Sequence, residues 1–341
     1  NITDEEKTAL INESNYLKAS DSTYNKIDKD GNLYLNDTIL ERKLYKHTTS
    51  LNTYYGTPSD DEAAVSKRLT ISAREVGNHV TGLYAPAGEV ITITLSNEDL
   101  SKTGGVKIEM GQYSQNNELN NIWVTRNDFS RMPLLGNEML ANEETTYVAT
   151  FLGGPIYVTP IKQCDFTITI SGALEYTHFI YGLTTKDEFE RLKGCSAPYF
   201  DLEVWDSCVR HSGPKKYANL DYDNLNQISN FWLSVSNISK QIPAGSRKTI
   251  GIDFIYDPFV AAGSAVAFVG RNWCNLPPDW MSGALDYEGF TTNGSWGPIH
   301  EYNHHFQRYG FNPGDEVTNN ALSLLSYINY TKISENRDNL R

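Results

Sequence analysis

The sequence predicts an α+β protein of more than one domain, in which an antiparallel β-sandwich precedes a region of mixed helices and strands. The chain has 341 residues, which is enough for two or three separate cores. Short segments of alternating apolar and polar residues dominate the first half, and capped helices with apolar stripes dominate the second. We therefore expect an N-terminal appendage with a short helix over residues 1–78, a β-sandwich over 79–183 and a further region over 184–341.

Composition excludes several classes of protein. A net charge of -13 and a pI near 5.0 argue against binding to the nucleic-acid backbone, which requires a positive surface. No stretch approaches the roughly 20 apolar residues of a membrane span. The sequence starts without a methionine or a signal peptide, so we expect a processed form or a fragment. Composition does not set the oligomeric state.

The four cysteines leave two alternatives open. Cys164, Cys195, Cys208 and Cys274 show no close pairing of the kind that binds a metal. Cys195 and Cys208 could form one disulfide, and all four could equally be buried thiols.

The N-terminal appendage contains two recognisable signals. Asp28–Asn32 is typical of a turn and resembles half of a calcium loop. A complete EF-hand would need a glutamate at its twelfth position, which is Ile39 here, so an ordinary turn is favoured. Ser59–Leu69 predicts a short helix, because Ser59 can cap it and three acidic residues follow in the first turn.

The β-sandwich is predicted from alternation. Val90–Leu95, Val106–Met110 and Phe166–Ile170 alternate between apolar and polar residues, and glycine, asparagine and proline separate such segments. Strands at this spacing are typical of an antiparallel sandwich. A sandwich by itself would fit a lectin, an adhesin module or a scaffold.

Helical signals return after residue 184. Thr185–Glu188 forms a capping box that opens a helix reaching Lys193, and Pro198–Phe200 follows as a linker. A longer helix is predicted over Tyr222–Lys240, because its apolar residues form one stripe. That stripe consists of Leu225, Ile228, Trp232, Val235 and Ile238.

Two strands and a long segment come next. Ile250–Ile255 and Ser264–Val269 are apolar runs that predict strands. Asn272–Ser295 is predicted to be a long aromatic loop, which could shape a substrate pocket or pack beneath the following helix.

The strongest chemical signal is His300-Glu301-x-x-His304, where a helix is expected. Two histidines four positions apart share one helical face, so both imidazoles can point at a single metal ion. Glu301 can then reach a water molecule bound there without being a ligand itself. His305 is rotated about 100 degrees from His304 and should miss the metal, so we expect a structural or pocket-wall role for it.

Glu316 is the predicted third ligand. A catalytic zinc takes three protein ligands and leaves one position for water. After a predicted break and turn at Gly310–Gly314, Glu316 opens a helix whose apolar residues have helical spacing. The sequence therefore predicts a zinc site of the glutamate-zincin type. The apolar residues are Val317, Ala321, Leu324, Leu325 and Ile328.

The zinc site implies roles for other residues. Glu301 is expected to take a proton from the zinc-bound water and to deliver it to the leaving amine. Tyr287 is a candidate oxyanion donor, Asn320 a candidate partner of a ligand, and Trp296 a candidate for ligand support or substrate contact. In zincins generally the strand nearest the cleft binds the substrate backbone, and Ser264–Val269 is the candidate here, with an ordinary buried strand as the alternative.

The motif and its surroundings resemble the enhancin-like, or M60-like, metallopeptidases. The resemblance rests on Gly294–Gly297, the motif from His300 to Gln307, and Glu316–Asn320. Thr81–Glu89 and Gly153–Tyr157 extend it upstream, so that it covers roughly residues 80 to 330. Asn303 stands where many members have glycine.

The resemblance implies a fold and a substrate class. A β-sandwich precedes a zincin-like catalytic region in that family, and many members are secreted or surface zinc enzymes that attack mucins and other glycoproteins. Because the chain ends 25 positions after Glu316, we expect the catalytic region to be truncated at its C-terminus. The alternative function is a surface module that binds glycans or a protein partner and carries an inactive or truncated peptidase region.

Overall fold

The computed structural model describes thirteen parts of the chain, which divide into two compact units. The first unit comprises Asn1–Arg74 and Asn78–Glu175, and the second comprises Glu75–Gly77 and Tyr176–Arg341. The domain limits predicted at residues 78 and 183 stay predictions. The described residues are 3, 5, 26–35, 37–43, 56–72, 77–111, 138–150, 153–204, 208–241, 251–257, 265–269, 272–307 and 314–330.

Eleven strands make up the sheet of the first unit, and every described pairing between them is antiparallel. The antiparallel character predicted for this region is confirmed. A helix, α1 (Asn97–Thr103), lies between β6 and β7. The strands are β1 (Lys26–Ile27), β2 (Asn32–Leu35), β3 (Thr38–Lys43), β4 (Val65–Ile71), β5 (His79–Ala85), β6 (Val90–Leu95), β7 (Val106–Met110), β8 (Glu138–Ala141), β9 (Thr145–Ala149), β10 (Gly154–Pro160) and β11 (Phe166–Glu175).

Strand β11 joins the two halves of this sheet. Its first part pairs with β4 on one side and β6 on the other, and Leu174 and Glu175 pair with β5. The hydrogen-bonded path β3-β2-β1-β9-β6-β11-β5-β10-β7-β8 is therefore continuous, with β4 off the path. A two-layer sandwich for this sheet stays a prediction.

The predicted helix over Ser59–Leu69 is wrong. Residues Val65–Ile71 form β4, which pairs with β11 over its whole length. Capping and charge favoured a helix locally, but the alternation that continues to Ile71 suits a strand with one face turned inward, and pairing within the sheet prevails.

Asp28–Asn32 forms the predicted turn, between β1 and β2. The Asp28 carboxylate accepts hydrogen bonds from the amides of Asp30 and Asn32, from the Asn32 side chain and from the Tyr34 hydroxyl. These bonds, with that from the Asn32 side chain foremost, lower the pKa of Asp28 to about 2. The carboxylate is engaged within the hairpin, which agrees with an ordinary turn.

The second unit is built on a mixed six-stranded sheet with the order β12-β13-β14-β15-β17-β16. Strand β16 lies at one edge and pairs antiparallel with β17, whereas β14, β15 and β17 are parallel neighbours. The strands are β12 (Thr177–Ile180), β13 (Tyr199–Val204), β14 (Val209–Pro214), β15 (Ile252–Tyr256), β16 (Val266–Phe268) and β17 (Trp273–Leu276).

Six α-helices are described in the second unit, together with a 3-10 turn at Lys215–Tyr217. The predicted N-cap of α2 is confirmed, because the Thr185 side chain accepts a hydrogen bond from the Glu188 amide. Residues 310–313 of the predicted turn lie outside the described residues. The helices are α2 (Lys186–Leu192), α3 (Tyr222–Gln241), α4 (Trp280–Ala284), α5 (Tyr287–Asn293), α6 (Trp296–His304) and α7 (Asp315–Tyr330).

Two predictions for this unit are wrong. Pro198–Phe200 is not a linker, because residues from Tyr199 onward belong to β13. Asn272–Ser295 is not a loop, because it contains β17, α4 and α5. Both segments carry prolines and aromatic residues that suggest irregular structure, but Phe200 and Phe290 belong to the core and Trp280 and Tyr287 pack against it.

The core of the second unit lies between the sheet and α3. The predicted stripe on α3 is confirmed for Leu225, Ile228, Trp232 and Val235, which are fully buried, whereas its fifth member, Ile238, is partly buried. The four cysteines are thiols, two of them buried, so the alternative of a Cys195–Cys208 disulfide is wrong. Within the described residues, no helix is long and apolar enough to cross a membrane.

Candidate metal centre

Helix α6 carries the motif and is held against the core by its apolar face. Ile299 and Tyr302 are buried there. Gly297 allows this packing, because a Cβ atom at that position would lie 2.2 Å from the ring of Trp280 on α4. Gly297, which precedes the motif, therefore permits the close approach between the start of α6 and α4.

Three potential ligand atoms converge where α6 faces the first turn of α7. The Nε2 atoms of His300 and His304 are 3.1 Å apart, and Oε2 of Glu316 lies 3.0 Å from the first and 3.6 Å from the second. Zinc at about 2.0–2.2 Å from each of three tetrahedral ligands requires separations of about 3.3–3.6 Å between them. The three donor atoms thus have nearly the spacing that the metal needs.

The cluster is open on one side. The two imidazoles are mostly buried, with side-chain exposures of 14% and 12%, whereas the Glu316 side chain is 72% exposed. A site of this kind leaves room for a water molecule and a substrate beside the protein ligands.

Two asparagines of α7 contact His300. The Asn320 side-chain oxygen lies 3.0 Å from His300 Nδ1, and the Asn319 side-chain amide donates to the His300 carbonyl at 2.8 Å. Donation from Nδ1 to Asn320 keeps the proton on that nitrogen and leaves the Nε2 lone pair facing the cluster. The predicted partner Asn320 is thus in contact with a candidate ligand, and Asn319 was not foreseen.

Glu301 is buried beside the cluster, with 8% of the residue exposed. Burial, and secondly the charge of Glu316, raise the pKa of Glu301 from 4.5 to about 7, while a hydrogen bond from the Ala267 backbone opposes the rise. A carboxyl group with a pKa near neutrality can both accept and release a proton. Burial, and secondly the neighbouring His300, lower the pKa of His304, which favours the neutral form that binds metals.

Strand β16 runs past Glu301 at the sheet edge. The strand predicted over Ser264–Val269 is present as Val266–Phe268, with Ser264 outside the described residues, and β17 is its partner in the sheet. Because the Ala267 backbone donates to Glu301, the side of β16 that faces away from β17 faces this carboxylate.

Of the other residues predicted for the site, Trp296 lies near a candidate ligand, whereas Tyr287 and His305 make contacts elsewhere. Trp296 begins α6, and its ring centroid is 6.3 Å from that of His300. Tyr287 begins α5, where it packs on the core and its amide donates to Asn224, so its role as an oxyanion donor stays a prediction without a supporting contact. His305 is buried, with Nε2 3.4 Å from the Cys274 sulfur, in keeping with a structural role.

Sequence reasoning missed a second set of contacts behind the cluster. Asn303 on α6 is fully buried and contacts serines of α3 and α7 through its side-chain amide. One signal could have indicated it, since the polar residues Asn319, Ser323 and Ser326 have helical spacing of their own.

Comparison with known proteins gives two adjacent family matches. Residues 172–341 match the model described as "Peptidase M60, enhancin and enhancin-like", and residues 60–171 match the N-terminal domain of M60-like peptidases. The two matches meet close to the division between the compact units.

Two curated relatives come from Entamoeba histolytica. Antigenic protein NP1 is 38% identical over 255 residues, and antigenic protein P1 is 30% identical over 276 residues. These alignments cover 68% and 75% of this chain but only 39% and 24% of the relatives. The chain thus spans well under half the length of either relative.

Among solved structures, the fold is similar to that of the IMPa metallopeptidase from Pseudomonas aeruginosa. The TM-score is 0.59 at 13% identity, over 82% of this chain and 34% of that chain. The same metallopeptidase in complex with an O-glycopeptide gives a TM-score of 0.57 at 13% identity, over 83% and 34% of the two chains. At this identity the likeness concerns the fold.

Proposed function

We propose, from the premise that this chain belongs to the peptidase M60, enhancin and enhancin-like family, that it is a zinc-dependent endopeptidase acting on glycoproteins. The observation that carries the proposal is the convergence of His300, His304 and Glu316, whose ligand atoms all lie within 4.8 Å of one another. Two imidazoles and one carboxylate, with an exposed side left over, suit a catalytic zinc site.

The fit to zinc is supported by what surrounds the three ligands. Asn320 orients the His300 ring so that Nε2 can bind the metal, and burial favours neutral His304. Magnesium or calcium would require mainly oxygen ligands, and this cluster offers two nitrogens. Zinc, when bound, would polarise the scissile carbonyl and make a water molecule more acidic.

Glu301 would act first as the general base and then as the general acid. Its carboxylate takes a proton from the attacking water, whose oxygen forms the bond to the scissile carbonyl carbon. The carboxyl group then gives the proton to the amine nitrogen as the carbon–nitrogen bond breaks. A pKa of about 7 before metal binding suits a group that must bind and release a proton in each cycle.

Strand β16 would align the substrate. A peptide added to the side of β16 that faces away from β17 would form backbone hydrogen bonds like those of a further strand. Because Ala267 on that strand contacts Glu301, a peptide bound there would pass the general base. The extended backbone, rather than particular side chains, would then set the direction of binding.

The glycoprotein substrate class is supported by the IMPa structure that contains an O-glycopeptide. Mucin-type O-glycosylated proteins are accordingly the first substrates to test, and they would place the enzyme outside the cell, as a secreted or cell-surface protein. Nothing in the proposal requires nucleic acid.

The test uses the full-length protein with one O-glycosylated mucin and with the same polypeptide after removal of its sugars. Each is incubated with zinc-loaded parent protein, with the parent plus a chelator, and with Glu301→Gln. We expect fragments from the glycosylated form with the zinc-loaded parent only. Equal cleavage of both forms would retain the zinc peptidase and reject the glycan requirement.

A different result would favour the alternative function. If the zinc-loaded protein retains the mucin on a column but yields no fragments, the chain is a binding module with an inactive peptidase region. Binding that persists in Glu301→Gln and in chelator, alongside cleavage by the parent, would show that glycoprotein recognition and catalysis are separable.

A further inference from the structure

A buried cluster of four polar side chains connects three helices of the second unit. The Asn303 side-chain oxygen accepts a hydrogen bond from Ser239 of α3 at 2.9 Å. The Asn303 side-chain nitrogen lies 3.4 Å from the hydroxyl oxygens of both Ser323 and Ser326 on α7. All four residues are at most 1% exposed. We call them the Asn303 cluster.

Helix α7 packs on α6 through polar residues rather than apolar ones. Asn319, Ser323 and Ser326 are buried, whereas Val317 and Leu325 are about half exposed. Of the α7 residues whose side chains are described, 315–326, none belongs to the hydrophobic core of this unit. Burial of apolar surface therefore contributes little to holding this part of α7, and hydrogen bonds must determine its position along α6.

The position of α7 along α6 matters because α7 carries the candidate ligand Glu316. Ser323 follows Glu316 by seven residues, which is close to two helical turns and about 10 Å along the axis. A slip of one residue would move Glu316 by about 1.5 Å along α7 and turn it by about 100 degrees. Either change exceeds what a zinc–oxygen bond of about 2.0–2.2 Å tolerates.

We propose that Asn303 is a positioning residue, whose buried amide fixes the register of α7 against α6 and thereby holds Glu316 at the metal. The assignment rests on the proposed zinc site. A single polar residue in a helix interface can specify register in the same way in coiled coils. Asn303 adjoins His304 in the chain, but it acts through α7.

Zinc affinity, measured by competition with a coloured chelator, tests the assignment. Asn303→Ala leaves three buried hydroxyls without the amide and should weaken zinc binding by about 10- to 100-fold, the usual effect of removing a residue that orients a ligand. Ser239→Ala should weaken it less. Ser229→Ala is the matched control, because Ser229 is equally buried on α3 but its hydroxyl donates within its own helix, to the Leu225 carbonyl.

A thermodynamic cycle with Glu316→Ala distinguishes positioning from general destabilisation. If Asn303 acts through Glu316, Asn303→Ala should weaken zinc binding by less than about twofold once Glu316 is absent. An undiminished effect in the Glu316→Ala background would overturn the assignment. So would zinc affinity of Asn303→Ala within about twofold of the parent.

Hydrogen exchange of the metal-free protein gives a second readout that needs no zinc. Amides of α7 from Val317 to Leu325 should exchange at least tenfold faster in Asn303→Ala than in Ser229→Ala. Unchanged exchange would refute the role in register. A parent protein that takes up no zinc would overturn the proposed function and the ligand-holding role, while faster exchange would still support the role of Asn303 in fixing α7.

Discussion

Replacing Glu301 by glutamine should make the metal-free protein more stable at neutral and alkaline pH. Glutamine has the size of glutamate and can still accept a hydrogen bond from the Ala267 amide, but it carries no charge into the buried site. Burial raises the pKa of Glu301 from 4.5 to about 7, so the folded state disfavours the ionised form by about 3 kcal/mol. The parent and Glu301→Gln should have similar stability at a pH where the Glu301 carboxyl stays protonated in both the folded and the unfolded chain.

The direction of this pH dependence follows from proton binding by the folded and unfolded chains. Between pH 4.5 and about pH 7 the folded parent holds a proton on Glu301 that the unfolded chain has released, so the contribution of Glu301 to stability falls as pH rises through this range. The free energy of unfolding of Glu301→Gln relative to the parent should therefore grow by about 2.5 kcal/mol from pH 5 to pH 8.

Denaturant unfolding in the presence of a chelator measures this difference. Tryptophan fluorescence is a suitable probe, because five of the six tryptophans lie between residues 176 and 341, within the second unit. Glu188→Gln, at an exposed position of α2, is the control and should show no such pH dependence. A difference between Glu301→Gln and parent that stays within about 0.5 kcal/mol from pH 5 to pH 8 would refute the reasoning.

Three further predictions concern activity, zinc binding and acid stability. Glu301→Gln should lower the rate of peptide hydrolysis by at least about 100-fold while elemental analysis still finds one zinc per chain, and activity within a few-fold of the parent would contradict the role of general base. Asn320→Ala should weaken zinc binding by about tenfold in a chelator competition, and an unchanged affinity would contradict its orienting contact. His211 is fully buried, and burial lowers its pKa to about 3, so this residue should contribute a loss of about 3 kcal/mol of stability between pH 7 and pH 4 as the unfolded chain takes up a proton, opposite in sign to the contribution of Glu301. The stability of His211→Phe relative to the parent should rise by about 3 kcal/mol from pH 7 to pH 4 in denaturant unfolding, and an unchanged difference would rule out His211 as the cause.

The sequence predicted the parts of the candidate site that depend on local spacing. His300 and His304 share one helical face by their separation alone, and Asn320 follows Glu316 by one turn, so both placements needed only the geometry of a helix. The contact between Ala267 and Glu301 depends on which strand lies at the sheet edge. That order follows from pairing between distant segments, which no local pattern contains.

Helix α7 shows most clearly where local patterns mislead. The spacing of its apolar residues predicted the helix correctly. The same spacing predicts that Val317, Leu324 and Leu325 pack on the core. The structure exposes all three and buries Asn319 and Ser323 instead. Periodicity identifies a face, but on α7 the buried face is the polar one, whose side chains contact Asn303 and the His300 carbonyl of α6.

The shortness of β16 has a consequence for solubility. A strand with one unpaired side can pair with the edge of another molecule, which is a common route to aggregation. Three residues, Val266–Phe268, offer too little backbone for a stable pairing of that kind. A longer β16 would bind an extended peptide through more backbone hydrogen bonds, but it would also increase association between copies of the protein. Peptide binding therefore favours a longer edge strand, and solubility favours a shorter one.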